Sequence, residues 1–380
     1  MRRGFLIMLG LLGLLHAYIG LRLLPALSVG VTGLVVGALL LLASWILIPM
    51  GLTARSRQTG ADGADALVWT ALIAMGLFSS LLVFTLVREV VLLIAALFTP
   101  VVATGRVQEA SAWIVVAAAA FATLIGYINA RRVARVVDVD VPIANLPAAL
   151  HGFSIAQISD IHVGPTIRRD YVEGIVAAVN RLEADAIAIT GDLVDGSVRE
   201  LASHVEPLAQ LRARYGTFFV TGNHEYYSGE RAWTRELRRL GMRVLMNEHV
   251  VVDHHDAKIV VAGVTDFGAH HFDPAQRSDP FAALAEAPAD AGAKILLAHQ
   301  PRSAPEAASA GFDLQLSGHT HGGQFWPWNF FVRFQQPFTA GLDRLGSLWI
   351  YTSRGTGYWG PPKRFGAPSE ITRIRLIARD

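Results

Sequence analysis

The sequence predicts a chain in two parts: an N-terminal bundle of about four membrane-spanning helices, then a C-terminal α/β domain. Two observations predict it. Before about residue 130 the apolar residues gather into four runs, each long enough to cross roughly 30 Å of hydrocarbon. Beyond residue 150, short β-type runs alternate with helix-like segments. The composition agrees, since 17% of residues are charged against about 25% in a typical soluble protein. A length of 380 residues also suits about two domains better than one core. The expected organisation is a helical domain over 1–135, a linker over 136–150 and the second domain over 151–380.

The first apolar run covers about Phe5–Leu24 and the second about Leu27–Met50. The third covers about Ala66–Val87 or extends to about Phe98; Arg88 and Glu89 interrupt it, and Val90–Val102 reads alternatively as a re-entrant or interfacial piece. The fourth covers about Ser111–Ala130. Gly30, Gly33 and Gly37 suit close helix–helix approach in lipid. Arg2 and Arg3 before an apolar run resemble the start of a signal peptide, but there is no clear A-x-A site and more spans follow, so the first run reads as a retained helix.

With four spans both chain ends lie on one side. Arg2, Arg3, Arg55, Arg57, Arg131, Arg132 and Arg135 then share a face, against Arg22, Arg88 and Arg106 on the other. That bias predicts a multi-pass protein with its C-terminal domain in the cytoplasm. A formal net charge of +2 gives no reason to expect nucleic acid as a partner. The absence of Cys excludes disulfides and thiolate chemistry. Any metal must be held by His, Asp, Glu, Asn or backbone.

In the C-terminal half the expected strands are Phe153–Ile158, Ala186–Thr190, Thr217–Thr221, Lys258–Val264, Lys294–Ala298, Leu314–Leu316 and Leu348–Thr352. Helical patterns fall at Tyr171–Leu182, Leu201–Arg212 and Arg231–Leu240. Five strands are followed at once by polar motifs. Asp160 and His162 follow the first, Asp192 and Asp195 the second, Asn223, His224 and Glu225 the third. His299 follows Ala298, and His319 and His321 follow Leu316. Sites in open α/β sheets form at the carboxyl ends of strands. In extended chain, Asp160 and His162 at i and i+2 point the same way, as do His319 and His321. Asp192 and Asn223 each follow a glycine that permits a sharp turn. Imidazoles, carboxylates and an amide oxygen together suit Mn, Fe or Zn.

The order D-x-H, G-D-x-x-D, G-N-H-E, a later lone His, then G-H-x-H resembles the calcineurin-like metallophosphoesterases. The stretch Gly318–Gln324, with Ser353–Gly357 and Pro362–Arg364, resembles their membrane-associated bacterial members. The resemblance covers about residues 150–380. It implies a β-sandwich of mixed sheets flanked by helices, and two divalent or trivalent metal ions. Asp160, His162, Asp192 and His321 would hold one. Asp192, Asn223, His299 and His319 would hold the other. It further implies that His224 protonates the leaving oxygen or steadies the phosphate, and that Asp195 orients His224. Glu225 is expected to be structural. The implied activity is hydrolysis of a phosphate ester or diphosphate. The alternative is a membrane sensor or scaffold whose metallophosphoesterase-like domain binds without turnover.

Two features stay open in the sequence. Arg354 and Arg364 suit either a substrate phosphate or an ordinary surface. Trp326, Trp328, Phe330, Phe331 and Phe334 suit either core or lid, or a bilayer interface that would admit a lipid-linked substrate.

Overall fold

A computed structural model describes residues 2–57 and 62–378 of the chain. The side chains of Arg2, Arg3, Arg55 and Arg57, used in the charge argument, lie outside the described residues. The chain divides into two compact units, Met1–Ile128 with Gly360–Phe365, and Asn129–Trp359 with Gly366–Asp380.

The first unit holds α1 (Arg2–Leu23), α2 (Gly30–Arg57), α3 (Asp62–Ala96) and most of α4 (Gly105–Arg131). Each contains a segment long and apolar enough to cross a membrane. Close approach occurs at a glycine the sequence reading passed over: a Cβ on Gly51 would lie 2.1 Å from the Ala71 Cβ, so α2 and α3 meet there only because Gly51 has none. Of the two readings of the third run the longer one matches, because α3 continues through Arg88 and Glu89 to Ala96. Arg88 is buried and its guanidinium is satisfied inside the unit, donating to Ser111 Oγ at 2.8 Å, Glu89 Oε1 at 2.6 Å and Gln108 Oε1 at 2.7 Å. A charged group in an apolar bundle is tolerated when polar partners are supplied in this way. The stretch after Ala96 is a short turn of 3₁₀-helix, Pro100–Ala103, not a re-entrant segment. Residues 360–365 come from far along the chain. Lys363 Nζ donates to the Gly76 carbonyl at 2.9 Å and to Ser80 Oγ, and the Arg364 amide donates to the Gly126 carbonyl at 2.8 Å. Arg364 is fully buried and is therefore not a surface residue.

The second unit is a sandwich of two six-stranded sheets. Its strands are β1 (Arg135–Ile143), β2 (Ser154–Ile158), β3 (Ala186–Ile189), β4 (Thr217–Phe219), β5 (Arg243–Val244), β6 (Glu248–His254), β7 (Ala257–Gly263), β8 (Ala293–Leu297), β9 (Leu314–Ser317), β10 (Gly341–Leu345), β11 (Leu348–Thr352) and β12 (Glu370–Ala378). One sheet runs β1-β12-β2-β3-β4-β5 and the other β10-β11-β9-β8-β7-β6. In each a run of four neighbouring strands is parallel: β2, β3, β4 and β5 in the first, and β7, β8, β9 and β11 in the second. Their fully buried apolar runs, such as Ala186–Ile189, fit parallel strands covered on both faces.

Between the sheets lies one apolar cluster that includes Phe153, Ile155, Phe218, Ile259, Ile295 and Leu316. On the outer face of the first sheet pack α5 (Arg169–Asn180), α6 (Val198–Val205) and α8 (Glu230–Arg239), which deliver Val172, Leu201 and Trp233 to a second cluster. On the outer face of the second sheet, α9 (Pro280–Leu284) and α10 (Ala304–Ala310) bury Ala283 and Ala307.

The 136–150 segment is not a linker. Arg135–Ile143 pairs in parallel with β12 from Arg135↔Glu370 to Ile143↔Ala378, which makes it the edge strand of the first sheet. Its alternating Val137, Val139 and Val141 are the period-2 signature of that strand, and Pro142 is tolerated because the strand is at an edge. Asp138 and Asp140 face outward to Arg373 and Arg375, at 2.5 and 2.7 Å.

Candidate metal centre

The carboxyl ends of β2, β3, β4, β8 and β9 converge, and the nine residues singled out in the sequence follow them directly. The structure brings together the side chains of Asp160, His162, Asp192, His224, His299, His319 and His321, and Asp195 bonds to two of them. Asp160, His162 and His321 place one donor atom each within 4.8 Å of one another, and so do Asp192, His299 and His319. His162, Asp192 and His224 form a third such set that joins the other two.

The backbone beneath them is unusual. Asp160, His162, Asp192, His319 and His321 have φ of 53°, 57°, 51°, 69° and 51°. Left-handed backbone is costly for residues with a Cβ, and such outliers cluster at functional sites. The extended-chain argument for the two i, i+2 pairs therefore fails. They converge because each residue takes a left-handed turn held by neighbouring loops: the Asp160 amide donates to the Gly191 carbonyl at 3.0 Å, and the His162 amide to the Asp192 carbonyl at 3.2 Å. The glycine before Asn223 is also needed for a different reason than a turn. Gly222 has φ −99°, open to any residue. A Cβ there would sit 2.2 Å from Asp192 Oδ1.

Hydrogen bonds fix which atom each imidazole offers. His299 Nδ1 donates to the Thr190 carbonyl at 2.7 Å, which leaves Nε2 facing Asp192 Oδ2 at 3.1 Å. His162 Nδ1 donates to Asp195 Oδ1 at 3.2 Å, which leaves Nε2 3.1 Å from His321 Nε2. His299 Nε2 is likewise 3.1 Å from His319 Nδ1. Ring nitrogens with free lone pairs, turned toward one another beside carboxylates, are a donor set arranged for a shared cation. Asn223 Oδ1 is buried with no hydrogen-bond partner. An orphaned buried carbonyl is costly, and an oxygen ligand to a metal removes that cost. The residues present therefore fit metal ions.

The electrostatics point the same way. Burial and the neighbouring His299 hold the His319 pKa down to about 3, so its ring is the neutral form that ligates. Burial opposes charge on His299, but Asp192 at hydrogen-bond distance outweighs it and raises the pKa. The position that proton takes against Asp192 is the position a cation would take. Burial also opposes charge on His224, yet Asp192 and then Asp195 outweigh it, raising its pKa to about 9. His224 Nδ1 is 2.5 Å from Asp195 Oδ1, and its Nε2 faces Asp192 Oδ2 at 3.9 Å. Cations on Asp192 would offset that residue's share, leaving Asp195 as the group that keeps the His224 proton.

Glu225 lies beneath the site. It is fully buried and accepts from the amides of Gly222 at 2.7 Å, Leu193 at 2.8 Å and Asp192 at 3.0 Å. It ties the loop after β3 to the start of α7 (Asn223–Ser228). Arg354 pairs with Glu370 at 2.8 Å, and its stem packs on Gly322, the residue after His321. Trp328, Phe330, Phe331 and Phe334 are exposed, so that part of the aromatic stretch is not core.

Sequence reasoning missed Asp266. It follows β7 as Asp160 follows β2, is buried, and accepts from Gln300 Nε2 at 2.9 Å, which positions the loop that carries His299. The strand-end rule would have found it. Sequence reasoning also missed Tyr227, Phe272 and Trp359, whose rings gather beside His224. No spacing links them.

Residues 153–323 match the calcineurin-like phosphoesterase family. The chain is 39% identical over 259 residues to a transmembrane protein with metallophosphoesterase domain from Danio rerio, covering 66% of this chain and 59% of that protein. It is 42% identical over 233 residues to a metallophosphoesterase from Helicobacter pylori, covering 60% of each. It thus spans about three fifths of the length of these two relatives. A metallophosphoesterase from Aquifex aeolicus is 35% identical over 224 residues, and 84% of its length is spanned. Identity at that level over most of a relative, on a sandwich with these motifs at its strand ends, makes the chain a member of the calcineurin-like phosphoesterase family.

Proposed function

We propose that the C-terminal unit is a metal-dependent hydrolase of phosphate esters or diphosphates, working on a lipid-linked substrate at a membrane surface. The observation that carries the hydrolase reading is the gathering of donor atoms into three overlapping groups, Asp160 with His162 and His321, His162 with Asp192 and His224, and Asp192 with His299 and His319. Asp160, His162, Asp192 and His321 would hold one ion, and Asp192, Asn223, His299 and His319 the other. Metal ions bound there would acidify a water at neutral pH and neutralise charge on the phosphoryl oxygens.

The side chains do the rest. The new bond runs from a water oxygen to phosphorus, and the bond from phosphorus to the leaving oxygen breaks. His224 Nε2 faces the site and passes its proton to the leaving oxygen, while Asp195 holds Nδ1 and fixes the ring. Asp195 Oδ1 also receives His162 Nδ1, so one carboxylate positions both the acid and a ligand. The gathered donor set and the His224–Asp195 pair beside it favour turnover over a binding-only scaffold.

The test is metal content alongside turnover of an aryl phosphodiester. Asp192→Ala is expected to lose metal and activity together, and His224→Ala to keep metal while losing most turnover. Equal metal loss in both variants would overturn the division of roles.

Two observations support the lipid-linked substrate and membrane-surface site: four helices apolar enough to span a bilayer, and the exposed aromatic run of Trp328, Phe330, Phe331 and Phe334. Purified enzyme that clearly prefers soluble nucleotides over lipid phosphates would reject that part. The Lys/Arg bias supports a cytoplasmic catalytic unit. The chain has no Cys, so Asp290→Cys, at a side chain 72% exposed, gives a unique label. Labelling by an impermeant maleimide in intact cells would reject the cytoplasmic placement.

A further inference from the structure

His224 is the site member that meets an exposed aromatic cluster. Tyr227, one helical turn along α7, lies edge-on to it with ring centroids 5.3 Å apart, and Trp359 lies edge-on at 5.9 Å. Phe272 continues the cluster, 5.6 Å from Tyr227. Tyr227 is 66% exposed, Phe272 53% and Trp359 48%. Three large apolar faces in solvent beside one catalytic group call for a reason, because contiguous exposed apolar surface on a folded unit marks an interaction site.

These residues are held in place. The Trp359 amide donates to Gln324 Oε1 at 2.8 Å, and Gln324 Nε2 donates back to the Trp359 carbonyl at 2.8 Å. Gln324 is itself buried and takes a left-handed φ of 57°, three residues after His321. Under Tyr227, Tyr226 bonds Gln276 at 2.7 Å and packs 5.4 Å from Phe272. The start of α7 is pinned by Glu225. Exposed rings on a braced backbone are preorganised for contact.

We propose that Tyr227, Phe272 and Trp359 form an apolar subsite for the leaving group, selecting phosphoesters of large hydrophobic alcohols. The inference rests on His224 acting at the leaving oxygen. A proton donor must come within about 3 Å of that oxygen. The first carbons of the departing alcohol therefore lie against whatever flanks His224, and Tyr227 and Trp359 do. A hydrocarbon chain covers those faces and gains from leaving water. A small polar alcohol leaves them wet.

The test uses the full chain in nanodiscs with metal restored, and monoalkyl and symmetric dialkyl phosphates from methyl to hexyl. The alcohols are of similar acidity, so chemical reactivity is nearly level along each series. A fully buried methylene is worth about fourfold and a half-covered one about twofold. The expected kcat/KM therefore rises about thirtyfold from methyl to hexyl at about twofold per methylene. In Tyr227→Ala with Trp359→Ala the hexyl-to-methyl ratio is expected to collapse toward one. In Tyr227→Phe with Trp359→Phe it is expected to survive. A flat series in the wild type, an unchanged ratio in the double Ala variant, or a preference for a nucleoside monophosphate over hexyl phosphate would overturn the subsite. Absence of turnover on every ester by metal-loaded wild type would instead overturn the hydrolase reading beneath it.

Discussion

Glu225→Gln removes one acceptor oxygen from a buried group that receives four backbone amides. In the wild type one carboxylate oxygen receives the amides of Gly222 and Asp192, and the other receives Leu193 at 2.8 Å and Val194 at 3.4 Å. A glutamine keeps one acceptor oxygen. However it is turned, its NH2 must face two backbone N–H groups. The weaker pair, Leu193 and Val194, is the one given up. Leaving one good and one long hydrogen bond unmade inside a buried site costs about 2–4 kcal/mol. For a domain of this size that corresponds to a fall in Tm of about 5–15 °C. The stranded amides belong to residues 193 and 194, directly after Asp192, so metal affinity is expected to drop about 10–100-fold as well. Thermal unfolding of the purified full chain by intrinsic fluorescence, at a fixed scan rate, reads the first effect, and metal analysis after dialysis reads the second. A Glu225→Gln protein with Tm within about 2 °C of wild type and full metal content would refute the reasoning.

Three further outcomes follow from the same geometry. Gly222→Ala is compatible with the backbone but drives a Cβ to within 2.2 Å of Asp192 Oδ1; loss of bound metal and of aryl phosphodiester turnover is expected, and a fully active variant would show that the loop yields. Asn223→Asp keeps an oxygen where the orphaned Oδ1 sits and is expected to retain both metals, whereas Asn223→Ala is expected to lose one, as counted by elemental analysis. Asp195→Asn leaves the donor cluster in place but takes the charge from beside His224 Nδ1; kcat is expected to fall by about 10²-fold or more at near-normal metal content, and an unchanged kcat would remove Asp195 from the proton path.

The alternation of strands and helices was readable because it is local. Each of the seven expected strands appears within a few residues of its place, and α3 and α4 simply extend past the apolar runs that announced them. What escaped depends on distant partners. β1 carries its alternating valines plainly, yet nothing nearby reveals that its partner is β12, at the far end of the chain. β5 is only two residues, paired with β4. Arg88 leaves the end of the third run open in sequence because its partners, Gln108 and Ser111, are supplied from α4. A charge that a neighbouring helix satisfies is indistinguishable in sequence from one that reaches water.

The same physics explains why the donor residues could be read and the aromatic ones could not. A ligand must be an Asp, a His or an amide oxygen, and to reach the sheet edge it must follow a strand directly; type and position both narrow the choice. Even so, the reason given for Asp160–His162 was wrong in detail, since strained left-handed turns do what extended chain was expected to do. A residue that grips an alcohol chain meets no such restriction. Tyr226 and Tyr227 are adjacent and identical in type, yet one is 9% and the other 66% exposed. The helix phase of α7 alone decides which ring fills the interior and which stands beside His224. Substrate preference therefore sits in exposure, a property only the folded chain has, while the chemistry of the reacting centre sits in residue type, which the sequence already carries.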